Sequence, residues 1–162
     1  MTISVGDQVP AATFREMTDD GPADIDGASF FAGRKIALFA VPGAYTPTCH
    51  VNHMPSFVNN ANALRAHGVD EIACVAVNDP FVMKQWGADT GATAAGIRLL
   101  SDADAAFTKA LGLEFTAPPV GLIDRSKRYS MLIEDGKVTQ LNVEDNPGVC
   151  EVSGGDKLLA QI

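Results

Sequence analysis

The sequence is short of basic residues, of cysteine and of long apolar runs, and each shortage removes a class of function. Lys and Arg together number 12 against 20 Asp and Glu, a net charge of -8. Such a surface repels phosphate backbones and anionic lipid at physiological salt, so neither a nucleic-acid partner nor a membrane is expected. No window approaches the roughly 20 apolar residues that a membrane-crossing helix needs. The opening Met1-Thr2-Ile3-Ser4-Val5-Gly6-Asp7 lacks a basic stretch followed by an apolar one, so no secretory signal is read there. Cysteines number 3 (Cys49, Cys74 and Cys150), few and odd, unlike a disulfide framework. A reducing cytoplasm is therefore the expected location, where a cysteine is catalytic, metal-binding or simply buried.

Several cysteine chemistries lack their partners. A Cys-x-x-Cys pair is missing, since Thr46 and Asn52 stand three residues either side of Cys49. The arginine that a phosphatase places six residues beyond its cysteine is Pro55 here. Cys49 and His53 lie one helical turn apart, but only His50 and His67 remain as further histidines, too few for a zinc site.

What is present is an alternation of elements. Lys35 to Val41 is a continuous apolar run that reads as a strand buried on both faces, and Pro42-Gly43-Ala44-Tyr45 breaks it. Thr46-Pro47 then opens a helix, with Thr46 as N-cap and Pro47 at the first helical position. Its apolar face carries Val51, Met54, Phe57, Val58, Ala61 and Leu64, and it stops near His67-Gly68. Pro55 inside it, with no amide to donate, should kink it.

Glu71 to Val77 is a second buried strand, and Asp79-Pro80 opens a helix through Met83 and Trp86. Gly96 to Leu100 reads as a short strand, with Ser101-Asp102 capping a helix that runs to about Leu111. After a loop containing Pro118-Pro119, Arg128–Glu134 and Lys137–Val143 flank the hairpin dipeptide Asp135-Gly136. Ser153 to Asp156 opens a last short helix. With 162 residues this predicts one α/β domain over 1–162 with a thioredoxin-like fold, a central mixed β-sheet flanked by helices.

Cys49 is N3 of the helix opened by Thr46. Unpaired amides and the positive end of the helix dipole favour a thiolate there. Thr46, capping the N3 amide, brings its hydroxyl near the sulfur. A thiolate is the nucleophile that cleaves a peroxide, provided further donors stabilise the charge growing on the departing oxygen. Spacing alone also leaves Cys49 open to a buried structural role.

The segment Val41-Pro42-Gly43-Ala44-Tyr45-Thr46-Pro47-Thr48-Cys49 resembles the active-site signature of peroxiredoxins, and its Pro-Gly-Ala-aromatic-Thr-Pro-x-Cys form is similar to the type II, peroxiredoxin-five-like subgroup. The resemblance continues through His53-Met54-Pro55-Ser56-Phe57, Val77-Asn78-Asp79-Pro80-Phe81-Val82, Trp86 and Arg125-Ser126-Lys127-Arg128-Tyr129-Ser130-Met131, covering most of the chain. It implies a thiol-dependent peroxidase with no cofactor and no metal, reducing hydrogen peroxide and organic hydroperoxides. Cys49 matches the peroxidatic cysteine and Thr46 the threonine that orients peroxide and sulfur. Pro42 matches the proline that shields the pocket, and Arg128 the active-site arginine, which would otherwise read as a solvated strand-end charge. His53 and Trp86 match family positions and are read as packing or support.

The thiol that recycles the resulting sulfenic acid is left open. Cys74 lies in an apolar strand and reads as a buried, inert thiol. Cys150 follows Asn146-Pro147-Gly148-Val149 near where some relatives place a resolving cysteine, although the spacing differs. Glutaredoxin, glutathione or thioredoxin is otherwise the expected donor. The resemblance also implies a homodimer, for which apolar surface near Tyr45 and Trp86 would serve. A peroxide-sensing regulator using the same cysteine without turnover, and a purely structural thioredoxin-like interaction domain, are the alternative readings.

Overall fold

In the computed structural model, which describes residues 1–162, three parallel strands form the centre of a seven-stranded sheet. They are β3 (Lys35–Ala40), β4 (Glu71–Ala76) and β5 (Arg98–Ser101), the three apolar runs read from the sequence. An N-terminal hairpin, β1 (Thr13–Thr18) and β2 (Gly21–Asp26), adds antiparallel to β5. The C-terminal hairpin, β8 (Tyr129–Glu134) and β9 (Lys137–Val143), adds antiparallel to β3. Strand order is β2-β1-β5-β4-β3-β8-β9, with a separate two-stranded sheet of β6 (Glu114–Ala117) and β7 (Leu122–Ser126). This is the expected mixed, thioredoxin-like α/β architecture.

The central strands are apolar beyond their first residues Lys35, Glu71 and Arg98 and the terminal Ser101 because both faces are covered, yet their residues still alternate. Ala37, Phe39, Cys74 and Ala76 join one core with α2 (Met54–Ala66), α3 (Pro80–Thr90) and α5 (Gly155–Ala160). Ile36, Leu38, Ala73 and Val75 join the other, filled by Phe30 and Phe31 of α1 (Gly27–Phe31) and by Phe107 and Leu111 of α4 (Ala106–Leu111). Cys49 lies in the first core, under α2, with Phe39 and Phe57 stacked 3.9 Å apart nearby. No helix is long and apolar enough to cross a membrane.

Four local expectations need correction. The β1–β2 hairpin and α1 were not read from the sequence, because Phe14 is the one fully buried residue of Thr13–Asp26 and the rest are exposed or half-buried, leaving little apolar contrast. Nor was β6–β7, which flanks the Pro118-Pro119 turn expected to be plain loop. Ser101 ends a strand rather than capping a helix. Asp102 does serve α4, but from further back, accepting the amides of Phe107 and Thr108 while Ala105 occupies the cap position.

The kink expected at Pro55 takes the form of a π-helical segment, Cys49–His53, in which Met54 donates its amide to the Cys49 carbonyl. Pro55 cannot donate to the carbonyl four residues back, and the wider π register absorbs that loss. At the C-terminal hairpin the expectation holds in detail. Asp135 (φ 49°) and Gly136 (φ 78°) both adopt positive φ, the geometry a two-residue turn requires there.

Candidate active site

The Pro42–Thr46 loop leaves β3 and turns into the helix that carries Cys49. Two side chains pin it: Asn78 Oδ1 accepts the Ala44 amide at 2.9 Å, and Arg125 Nη1 donates to the Pro42 carbonyl at 3.2 Å. Gly43 permits that approach, since a Cβ there would lie 2.7 Å from Arg125 Nη1. The helix begins at Pro47, as expected, which places Cys49 in its first turn.

Two donors face the Cys49 sulfur. Thr46 Oγ1 lies at 2.8 Å and Arg128 Nη2 at 2.9 Å. Arg128 leaves the start of β8 only 1 % exposed, and every arm of its guanidinium is engaged. Nη2 donates to the sulfur, Nη1 reaches His53 Nδ1 at 3.0 Å, and Nε donates to the Pro147 carbonyl at 3.0 Å. Donors to an anion form stronger, shorter bonds than donors to a neutral group, and both of these are aimed at the one sulfur.

His53 is held from both sides. Because Arg128 donates to Nδ1, the ring proton sits on Nε2, which donates to the Ser153 carbonyl at 2.9 Å. Burial, and then the charge of Arg128, push the His53 pKa down to about 3, so the ring is neutral. With both nitrogens occupied it offers no lone pair to a metal.

Thr46 departs from its expected role. Its hydroxyl caps no amide; it lies 2.7 Å from the Gly43 carbonyl and 2.8 Å from the sulfur. A hydroxyl has one proton, so it donates to one of these acceptors at a time. Cys49 itself has no surface open to solvent. A cavity of about 640 Å³ lies over it, lined by Pro42, Thr46 and Arg128 together with Phe115, Val120 and Leu122 from β6–β7 and its turn. The sulfur is thus one layer beneath the cavity surface, behind the two residues that bond to it.

The four residues matched by the signature, Cys49, Thr46, Arg128 and Pro42, therefore meet at one place. Cys150 is half-buried in the loop after β9, its sulfur 3.8 Å from Ser153 Oγ, with no contact to Cys49. Burial raises its thiol pKa, and raises that of the fully buried Cys74 much further. Trp86 is completely buried, so the apolar surface expected around it consists instead of Tyr45, Val51 and Phe81. Trp86 Nε1 donates to His50 Nδ1 at 3.0 Å, a supporting contact.

Sequence reading missed Asn78, Arg125 and Glu144 as parts of this site. Asn78 and Arg125 lay inside segments of the resemblance, and that position was their only signal. Glu144 is 4 % exposed, and its Oε2 accepts the amides of Glu151, Val152 and Ser153 and the Ser153 hydroxyl at 2.6–2.9 Å.

The chain is similar to known proteins over nearly its whole length. The Redoxin family model matches residues 4–159. Peroxiredoxin-2E-2, chloroplastic, of Oryza sativa subsp. japonica is 45% identical over 162 residues, covering 98% of this chain and 72% of that protein. The reduced Prx3 of Vibrio vulnificus in complex with H2O2 superposes with a TM-score of 0.92 at 47% identity, covering 99% of each chain. Peroxiredoxin 5 of Alvinella pompejana gives a TM-score of 0.85 at 35% identity, covering 98% of this chain and 96% of the other. The chain belongs to the redoxin family and, within it, to the type II, peroxiredoxin-five-like peroxiredoxins. Its activity is that of a thiol-dependent peroxidase, an oxidoreductase that acts on a peroxide and is recycled by a thiol.

Proposed function

We propose that Cys49 is the peroxidatic residue of this enzyme, with Thr46, Arg128 and Pro42 completing the catalytic set. The observation that carries the reading is the convergence of two donors, at 2.8 Å and 2.9 Å, on one sulfur. The Cys49 thiolate attacks the terminal oxygen of the hydroperoxide. An S–O bond forms, the O–O bond breaks, and both electrons come from sulfur. The second oxygen departs as alkoxide or hydroxide and takes a proton from solvent, giving alcohol or water. Cys49 is left as sulfenic acid.

Arg128 and Thr46 supply the charge stabilisation. As the O–O bond stretches, negative charge moves from sulfur to the leaving oxygen, and fixed donors beside both atoms lower the barrier without reorganising. Pro42, buried beside them, brings no amide that would compete for the peroxide. The apolar side chains of Phe115, Val120 and Leu122 in the cavity support organic hydroperoxides as substrates besides hydrogen peroxide.

Recycling consumes two thiols. The first condenses with the sulfenic acid to release water and form a disulfide, and the second reduces that disulfide. Glutaredoxin with glutathione, or thioredoxin, is the proposed external donor. Cys150 is the candidate internal one, its partly open position favouring it over buried Cys74. The enzyme is proposed to act as a single domain over 1–162, cytoplasmic, and as a homodimer through the exposed Tyr45, Val51 and Phe81.

Steady-state peroxide consumption tests the reading, with separate glutaredoxin and thioredoxin systems as donors. Wild type should turn over repeatedly and Cys49→Ser should not. Loss in Cys150→Ser as well would assign the resolving step to Cys150. Retained turnover in Cys49→Ser would overturn the proposal, and a single stoichiometric oxidation of wild type would mark a peroxide sensor instead.

A further inference from the structure

Arg128 and Glu144 are opposite charges, both buried, one residue before β8 and one residue after β9. The register that sets Tyr129 opposite Val143 continues one step outward, where the Glu144 amide donates to the Arg128 carbonyl at 3.0 Å. Directly opposed residues of an antiparallel pair put their side chains on the same face. An ion pair is the arrangement such neighbours invite, yet none forms between them.

The reason lies in what each side chain holds instead. Glu144 Oε2 gathers four neutral donors, three consecutive amides and one hydroxyl, from Glu151, Val152 and Ser153. Arg128 spends its three arms on the sulfur, on His53 and on the Pro147 carbonyl. The same loop serves both. Pro147 accepts from Arg128, Gly148 accepts from Thr48 at 2.6 Å, and Ser153 accepts from His53. A guanidinium swung toward Glu144 would move off the one position from which it meets the sulfur, His53 and the Pro147 carbonyl together.

We propose that Glu144 is a positioning residue and that the Glu151–Ser153 loop keeps its carboxylate occupied, so that Arg128 stays on the Cys49 sulfur. The inference rests on the reading of Cys49 as peroxidatic. Ser153 is the part of this restraint that can be removed by a side-chain change, because its hydroxyl makes the shortest of the four bonds, at 2.6 Å. Without it the carboxylate keeps only its three amide donors, and the buried Arg128 cation on the directly opposed residue becomes the competing partner for its charge.

The test is a double-mutant cycle on the single-turnover rate of Cys49 oxidation by hydrogen peroxide, with circular dichroism confirming that each variant is folded. Ser153→Ala should slow oxidation about tenfold, since misplacing a catalytic donor by about 1 Å costs up to about a hundredfold. Glu144→Gln, whose neutral amide cannot hold a guanidinium as a carboxylate does, should cost less. The combination should oxidise faster than Ser153→Ala alone, a coupling of opposite sign to simple loss of support. If Glu144 only braces the loop, the double variant will be as slow as Ser153→Ala or slower, and the proposal is overturned. A normal rate in Ser153→Ala also overturns it. Should Ser153→Ala fail to fold, Ser153→Gly repeats the cycle with the same hydroxyl removed. Peroxidase turnover surviving in Cys49→Ser would instead strike at the peroxidatic reading.

Discussion

Arg128 holds His53 neutral: its Nη1 donates to His53 Nδ1 at 3.0 Å, and this bond exists only while that nitrogen carries no proton. Protonating the ring would turn an acceptor into a second donor facing a guanidinium, in a site where neither can reach water. The depressed His53 pKa, about 3, expresses its burial first and this conflict with the Arg128 charge second.

The first prediction follows by linkage. A free histidine takes up its proton near pH 6.5, whereas His53 does so only near pH 3. Between those values the unfolded chain binds the proton and the folded chain does not. The contribution is thus fully present above pH 6.5 and is lost as pH falls toward 3. One proton gives a slope of about 1.4 kcal/mol per pH unit. Urea unfolding at pH 7, 6 and 5 should show wild type weakening more steeply than His53→Gln. Parallel curves would show that His53 does not titrate this way.

Tyr129 offers a stabilising substitution. Its hydroxyl is buried without a hydrogen-bond partner, on a ring that shares a core with Phe14 and Phe107. An unmade bond of this kind costs about 1–3 kcal/mol, and Tyr129→Phe removes the group while keeping the ring. The variant should unfold at higher urea than wild type by roughly 1 kcal/mol, with the m-value unchanged. A clear loss of stability would mean that the hydroxyl is satisfied after all.

Both tyrosines should resist ionisation. The Tyr45 hydroxyl donates to Asp89 Oδ2 at 2.6 Å, and that bond raises its pKa to about 12. Burial raises Tyr129 further still. Absorbance at alkaline pH should therefore show almost no tyrosinate at pH 10.5 in the folded protein. Asp89→Asn should restore a Tyr45 transition nearer 10, and an unaltered transition would detach Tyr45 from Asp89.

Gly155 should tolerate nothing larger. A Cβ at that position would lie 2.6 Å from the Ser56 carbonyl oxygen and 3.0 Å from Phe57 Cα, backbone atoms of α2 that cannot swing aside. Gly155→Ala must force α5 away from α2, at a cost of about 1–3 kcal/mol. Gly33→Ala, where no atom lies within 4 Å, meets only the strain of φ 67° and should cost less. Equal costs in thermal unfolding would mean that α5 yields easily.

Much of this molecule was legible in its sequence because its signals are local. The β3, β4 and β5 runs, the Asp79-Pro80 helix start and the Asp135-Gly136 turn each state their geometry within a few residues. The β1–β2 hairpin was not legible, since its residues form a strand pair only by completing the edge beside β5. Pro55 announced a disturbance in the helix, but whether a kink or a π segment relieves it depends on what packs against Cys49–His53.

The division runs through the active site itself. Sequence alone determined that Cys49 opens a helix and that Thr46, three residues earlier, is close enough to touch it, because both statements involve one turn of chain. Only the tertiary structure decided that the sulfur is covered, that Arg128 crosses from β8 to reach it, and that Glu144 and Ser153 hold the loop around His53. The contacts of Arg128 with Cys49 and His53, and of His53 with Ser153, join residues 75 to 100 positions apart, and they form only because the sheet order sets β8 beside β3 and the β9 loop over the helix start.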